Sequence, residues 1–238
     1  MYVLSIDSSG LTASAAIIFF DANGEKVIAE TTLNAGYTHS TTLMPLIDGI
    51  LRISGTSLSN IDYIACASGP GSFTGLRIGA ATAMGLASSI NIKMVNVSAL
   101  DALAYNVINH SNNEATQIVV PIMDARRGEV YSAIYKNTLK LTRVTDYLAD
   151  KIENIINIAT SIRQKLDENI IFTGDGVTVH RELLEAHGLG IATQVSLLQR
   201  AASVGILAVE KIRNDETISP GEFKIEYIRV PQAERELK

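Results

Sequence analysis

A chain of 238 residues can bury a sizeable core as one large domain or two small ones, and 47% hydrophobic with 19% charged residues excludes a disordered or low-complexity chain. No run approaches the roughly 20 apolar residues of a membrane-crossing helix, and the opening Met1-Tyr-Val-Leu-Ser-Ile-Asp7 lacks a basic segment, so neither a membrane span nor a secretory signal is expected. Against 25 acidic residues stand 20 basic ones, a net charge of −5 with no Lys/Arg cluster, which leaves the chain without the grouped cations that nucleic-acid binding draws on.

In chain order, Tyr2–Asp7 predicts a strand ending in the polar turn Asp7-Ser8-Ser9-Gly10. Ala13–Phe20 predicts a second strand, Asn23-Gly24 a hairpin turn and Lys26–Leu33 a third strand. An amphipathic helix follows from about Ser40 to Ile53, with Pro45 expected in its first turn. Its apolar residues cover about half the circumference, wider than the ~100° stripe a surface helix needs. Asp62–Ala67 reads as a buried strand, and its Cys66, the single cysteine, as a small buried hydrophobe. Gly69-Pro70-Gly71 is a turn, and Ser72 or Thr74 then caps a helix running to about Ile90. A short strand, Met94–Val97, and a helix from Ser98 complete this half.

The helix after the Gly-Pro-Gly turn carries Gly75, Gly79, Ala83 and Ala87 at four-residue spacing, one stripe of very small side chains. Gly79 and Gly85 each cost about 1 kcal/mol against alanine in a helix interior, which makes sense where another backbone comes close. Arg77 is the only charge on this helix, so it is expected to be covered on most sides, in part by a second chain. The expected partner-binding set is Leu43, Ile47, Leu51, Leu76, Gly79, Ala80, Ala83, Met84 and Ala87, two helices supplying half of a four-helix bundle. The alternative is that the stripe packs on the chain's own sheet.

From Gln117 the pattern starts again. Ile118–Met123 is a strand ending in the polar turn Asp124-Ala-Arg-Arg-Gly128; Glu129–Tyr135 and Lys140–Tyr147 follow as strands, and 148–166 as a helix. Ile170–Thr173 is a strand ending in Gly174-Asp175-Gly176, before helices over about Val179–Gly188 and Gln199–Ile212. Two halves of one form, each with an aspartate turn after its first strand, predict an internal duplication. The expected lobes are residues 1–105 and residues 106–238 with the tail, hinged near 104–116 at the polar Asn109-His-Ser-Asn-Asn113.

Two such lobes make a cleft in which Asp7 and Asp124 can hold a nucleotide's metal and water. The amides of Ser8–Gly10 and Arg126–Gly128 can cradle phosphate there, and Gly174, Asp175 and Gly176 can line an adenosine pocket. An aspartate followed by small residues is also an ordinary turn. The Gly69–Gly75 loop lacks the lysine of a Walker loop, and structural packing is its preferred reading. The four histidines, His39, His110, His180 and His187, show no metal-ligand spacing, so neither metal nor cofactor is expected.

Gly69-Pro-Gly-Ser-Phe-Thr-Gly-Leu-Arg-Ile-Gly79 resembles the signature of the TsaB (YeaZ) family. Ile6-Asp-Ser-Ser9, His39-Ser-Thr-Thr-Leu-Met-Pro45, Gly55-Thr-Ser-Leu58, Met123-Asp-Ala-Arg-Arg-Gly-Glu-Val-Tyr131, Gly174-Asp-Gly176 and Tyr227-x-Arg229-x-Pro231 through Ala233-Glu234 also match it, over nearly the whole chain. The resemblance implies an α/β chain with the duplicated, two-lobed fold of the actin, hexokinase and sugar-kinase superfamily. It further implies a cytoplasmic, non-catalytic subunit of the machinery that places threonylcarbamoyl on the tRNA adenosine next to the anticodon. A TsaD-like catalytic subunit and a TsaE-like ATPase are its implied partners, with a homodimer when alone and tRNA met only through the complex. Where TsaD carries a His-x-x-x-His metal site, the matching positions here are Ala99 and Leu103, which cannot bind a metal. The competing reading is an ATP-dependent phosphotransferase or hydrolase using the cleft, or a glycopeptidase-like enzyme.

Overall fold

The computed structural model describes residues 1–36, 38–108, 116–138, 140–163 and 168–228. The first half runs β1 (Tyr2–Asp7), β2 (Ala13–Asp21), β3 (Gly24–Leu33), α1 (His39–Ser54), β4 (Tyr63–Gly69), α2 (Phe73–Ser89), β5 (Lys93–Ser98) and α3 (Ala99–Tyr105). Its five-stranded sheet has the order β3-β2-β1-β4-β5, antiparallel through the opening meander and parallel from β1 to β4 to β5.

The second half runs β6 (Gln117–Asp124), β7 (Glu129–Ser132), β8 (Tyr135–Asn137), β9 (Leu141–Arg143), β10 (Leu148–Lys151), α4 (Ile152–Ile162), β11 (Asn169–Thr173), α5 (Gly176–Ala186), β12 (Gly190–Ile191) and α6 (Ala201–Arg213). β7 pairs with the end of β6 and β8 with its start, so the two are one strand broken at Ala133-Ile134. β10 and β9 flank β7 and β8 in the same way. With each broken strand counted once, the strand order of the first half is repeated. The chain is thus a duplicated α/β fold of the actin, hexokinase and sugar-kinase kind.

Several local expectations shift. The helix expected over 148–166 begins only at Ile152, because Leu148–Lys151 is taken up in ladder pairing with Glu129–Ser132; residues 164–167 lie outside the described residues. Pro45 stands past the first turn of α1, since the helix already starts at His39. Ser72 is the cap of α2, its hydroxyl accepting from the Gly75 N–H at 3.3 Å. The polar segment expected as a hinge, Asn109–Asn113, lies outside the described residues.

The larger correction concerns the two helices expected to face a partner. Leu43, Ile47, Leu76, Gly79, Ala80, Ala83 and Ala87 are all buried inside their own half, and only Leu51 and Met84 are half-buried. The cause is the first corner of the sheet, which passes under α2. A Cβ at Gly75 would lie 2.1 Å from the Ser8 carbonyl oxygen, and one at Gly79 2.4 Å from the Ser8 hydroxyl. The small stripe therefore packs on the chain's own sheet and loop. The outward stripe of α2 is Arg77, Ala81, Gly85 and Ser88.

Long-range packing ties the second half to the first. α6 rides on β1 and β2 so closely that a Cβ at Gly205 would meet Ile18 Cγ1 at 2.4 Å and Ser5 Oγ at 2.7 Å. Beyond α6 the chain returns to the first sheet: Ile218 exchanges two backbone hydrogen bonds with Met94, Phe223 is buried near α2, and the Glu226 N–H donates to the Ser68 carbonyl at 2.7 Å. No helix among the described residues is long and apolar enough to cross a membrane.

Candidate functional site

The two aspartate corners form two separate clusters. In the first, Asp7 is fully buried; its Oδ1 accepts from the Ser9 N–H at 2.9 Å and the Ser9 hydroxyl at 2.6 Å, while its Oδ2 has no partner among the described residues. Ser8 donates its hydroxyl to the Gly75 carbonyl at 2.9 Å, and the Ser9 carbonyl accepts from the Ser72 N–H at 2.7 Å. His39, first residue of α1, lies with Nε2 3.0 Å from the Gly10 carbonyl oxygen. The corner is thereby clamped between the starts of α1 and α2.

This clamping limits what the corner can cradle. The Ser9 N–H is already spent on Asp7, Ser8 and Ser9 are buried, and the Gln199 side chain lies against Gly10. The Gly69–Ser72 turn closes over the corner: a Cβ on Gly71 would stand 2.2 Å from the Ser9 carbonyl oxygen and 3.1 Å from Met123 Cε. Gly71 takes a φ of +156°, and Gly69, at +120°, lies where glycine is favoured.

In the second cluster, Asp124 Oδ1 accepts from the Arg126 N–H at 2.8 Å, and its Oδ2 pairs with Arg126 Nη1 at 3.2 Å. Asp175 sits beside Asp124; burial first, and the Asp124 charge after it, push its carboxyl up to about 6. Gly174 and Gly176 are explained by packing, since a Cβ on either would come within 2.1 and 3.0 Å of the Ile122 carbonyl oxygen. The structure thus groups Asp7, Ser8 and Ser9, and separately Asp124, Arg126, Gly174, Asp175 and Gly176, with Met123 reaching Gly71 from the second cluster. Cavities of about 490, 450, 320 and 400 Å³ occur elsewhere, and none of the four is lined by Asp7, Asp124 or residues 174–176.

Burial pushes the Asp7 carboxyl from 3.8 up to about 6, against the opposing Ser9 hydrogen bonds and the nearby His39. The folded state therefore holds this proton more tightly than the unfolded chain, and stability falls as pH rises between those two values. At about 1.36 kcal/mol per pKa unit, the cost at neutral pH is on the order of 3 kcal/mol. Asp7→Asn keeps an acceptor for Ser9 and removes the charge. It should raise the melting temperature at about pH 7 and leave it nearly unchanged at about pH 4. Thermal melts at both values check this.

Of the remaining residues singled out in the sequence, Ala99 and Leu103 are fully buried on α3 and offer no ligand atoms. Among the described residues no group of three or more His, Cys, Asp or Glu is placed to hold a metal. His180 stands at a kink in α5 with Nε2 buried and without a partner among the described residues, His187 donates from Nδ1 to the Leu183 carbonyl at 2.8 Å, and His110 lies outside the described residues. The Cys66 thiol is buried and pushed up by desolvation, with the Asp7 charge adding to it, as suits a packing residue.

The sequence reading singled out Gly85 as a point of close approach but left it out of the expected partner-binding set, and it missed Gly49 on α1. Among the described residues Gly49 and Gly85 have no atom within 4 Å of the position their Cβ would take, so packing among those residues explains neither. Met44 and Phe73 are exposed on the same two helices, at 47% and 43%. The signal was present: Gly85 falls out of phase with the Gly75, Gly79, Ala83, Ala87 stripe.

The family model described as "TsaD: tRNA N6-adenosine threonylcarbamoyltransferase" matches residues 27–236. The tRNA threonylcarbamoyladenosine biosynthesis protein TsaB of Bacillus subtilis is 33% identical over 190 residues, covering 78% of this chain and 76% of that protein. The protein of the same name from Haemophilus influenzae is 30% identical over 232 residues, 95% of this chain and 93% of its own length. A crystal structure from Pseudomonas aeruginosa, described as an uncharacterized protein with similarity to peptidase YEAZ, superposes with a TM-score of 0.79 at 23% identity, covering 96% of this chain and 99% of that one.

Proposed function

The chain belongs to the TsaB family, whose named members are tRNA threonylcarbamoyladenosine biosynthesis proteins, and from that premise we propose that it serves tRNA modification as a docking subunit without a catalytic centre of its own. Its work is to bind and support a TsaD-like catalytic subunit, joined by a TsaE-like ATPase, in the cytoplasm.

The observation that carries this reading is the pair of helix glycines facing outward. A glycine inside a helix costs about 1 kcal/mol relative to alanine. Gly75 and Gly79 offset that cost by admitting the Ser8 corner, but Gly49 and Gly85 admit nothing among the described residues. α1 and α2 lie side by side on one face of the first sheet, so their outward faces form a common surface with Met44, Ala81 and Met84. Smooth helices of this kind let a second pair of helices approach to about 8–10 Å between axes. The partner face thus moves from the buried stripe first expected to the opposite side of the same two helices. When the partner is absent, a second copy of the chain takes its place.

Affinity for tRNA then comes from the assembled complex. With a net charge of −5, the isolated chain should give no mobility shift with tRNA at physiological salt. Mixed with the TsaD-like subunit, it should elute in size-exclusion chromatography as a heteromeric complex. Separate elution of the two proteins at micromolar concentration would defeat the docking reading, and a tight shift of tRNA by the chain alone would defeat the assignment of tRNA contact to the complex.

A further inference from the structure

The cavity of about 490 Å³ lies away from both aspartate corners and from the outer faces of α1 and α2, in the wedge between α3, α6 and the β8–β9 hairpin. Its size falls in the roughly 300–1,000 Å³ range of small-ligand sites. Its walls are apolar where Val97, Leu141 and Leu207 meet, and its remaining lining is rich in charge.

Most of that charge is already neutralised within the chain. Lys140 pairs with Glu210, and Lys211 with Glu216 at 3.6 Å. Two opposite charges remain. Among the described residues neither Asp101 nor Arg143 enters an ion pair, with each other or with anything else.

Both are held ready by aromatic neighbours. Asp101 Oδ1 accepts from the Tyr135 hydroxyl at 2.6 Å and the Tyr147 hydroxyl at 3.1 Å, and its Oδ2 shares the Tyr147 proton at 3.0 Å. Burial and the adjacent carboxylate push both tyrosine hydroxyls up, so they stay protonated donors at neutral pH. A carboxylate oxygen has about two lone pairs, which leaves acceptor capacity on Asp101 Oδ2. Arg143 lies over the Tyr147 ring, 3.9 Å from guanidinium carbon to centroid. That stacking uses the face of the guanidinium and leaves its N–H edge available for a bidentate carboxylate.

An anion and a cation on one cavity, each without an ion partner among the described residues, with aliphatic wall between charged rims, match a small zwitterion. We propose that this cavity binds a free α-amino acid, with its ammonium on Asp101, its carboxylate on Arg143 and an aliphatic side chain against Val97, Leu141 and Leu207. The inference is independent of the docking reading, since it uses none of the same residues.

The test is titration of the full chain with L-leucine, L-valine and L-methionine, followed by amide chemical shifts and by calorimetry. N-acetyl-L-leucine and L-leucinamide each remove one charge and serve as the discriminating probes. At least one free amino acid should saturate shifts around Asp101, Tyr135 and Arg143 below about 10 mM, and both blocked forms should bind roughly tenfold or more weakly. Asp101→Asn and Arg143→Gln should each weaken the free amino acid by a similar factor. Arg143 is exposed, so its variant keeps the test decisive even if Asp101→Asn disturbs the tyrosines. The proposal is overturned if no free amino acid saturates, if the blocked forms bind as well, or if Arg143→Gln binds unchanged.

Discussion

Ala83→Arg should unfold the chain. Ala83 has no exposed surface and sits between α2 and the first sheet, one turn beyond the point where Gly79 admits the Ser8 hydroxyl. A guanidinium there has no space, because Ala83 is fully buried in the packed core. Leaving a charge buried and unpaired costs roughly 3–5 kcal/mol, a large part of the about 5–15 kcal/mol by which domains are stable. Ala81→Arg, two residues earlier and facing out, should stay within about 0.5 kcal/mol of the parent. Gly75→Ala should fall between them, because its Cβ would meet the Ser8 carbonyl at 2.1 Å and overpacking typically costs about 1–3 kcal/mol. Circular-dichroism melts of the three variants rank them. A folded Ala83→Arg chain would mean that the stripe does not carry the packing ascribed to it.

Gly85→Leu should separate stability from association. The position is exposed and open, so leucine meets no obstacle and gains close to the 0.8–1.0 kcal/mol that separates good helix formers from glycine, an estimate of order about 1 kcal/mol. The melting temperature should therefore rise. Association with the TsaD-like subunit should fall by at least about 30-fold, the equivalent of an interface hot spot of about 2 kcal/mol, because a bulky residue holds the helices apart. Calorimetric titration reads the affinity and a melt reads the stability. Unchanged affinity would place the docking face elsewhere on the molecule.

Much of the architecture was legible in the sequence because duplication shows as repetition. Asp7 and Asp124 each follow an apolar strand, and the strand and helix runs behind them recur in order. What misled was a feature common to two situations. A stripe such as Gly75, Gly79, Ala83 and Ala87 arises equally when a helix meets a partner and when it lies on its own sheet. The choice between them is made by Ser8, more than sixty residues earlier in the chain. Leu148 misled by a different route, since its spacing to Ile152 and Ile155 fits a helix although its backbone pairs with Ser132. The Asp101 cluster could not be read locally at all, because its tyrosines come from 34 and 46 residues further on.

The central claim is that this chain enables threonylcarbamoyl transfer by docking and performs none of it. Mass spectrometry of tRNA nucleosides after reconstitution with the TsaD-like subunit, the TsaE-like ATPase and a threonylcarbamoyl donor tests it most directly. The chain alone should give no modified adenosine, the full set should give it, and replacing the chain by its folded Gly85→Leu variant should remove most of the product. Modified adenosine formed by the chain alone, or full product with the Gly85→Leu variant, would contradict the account.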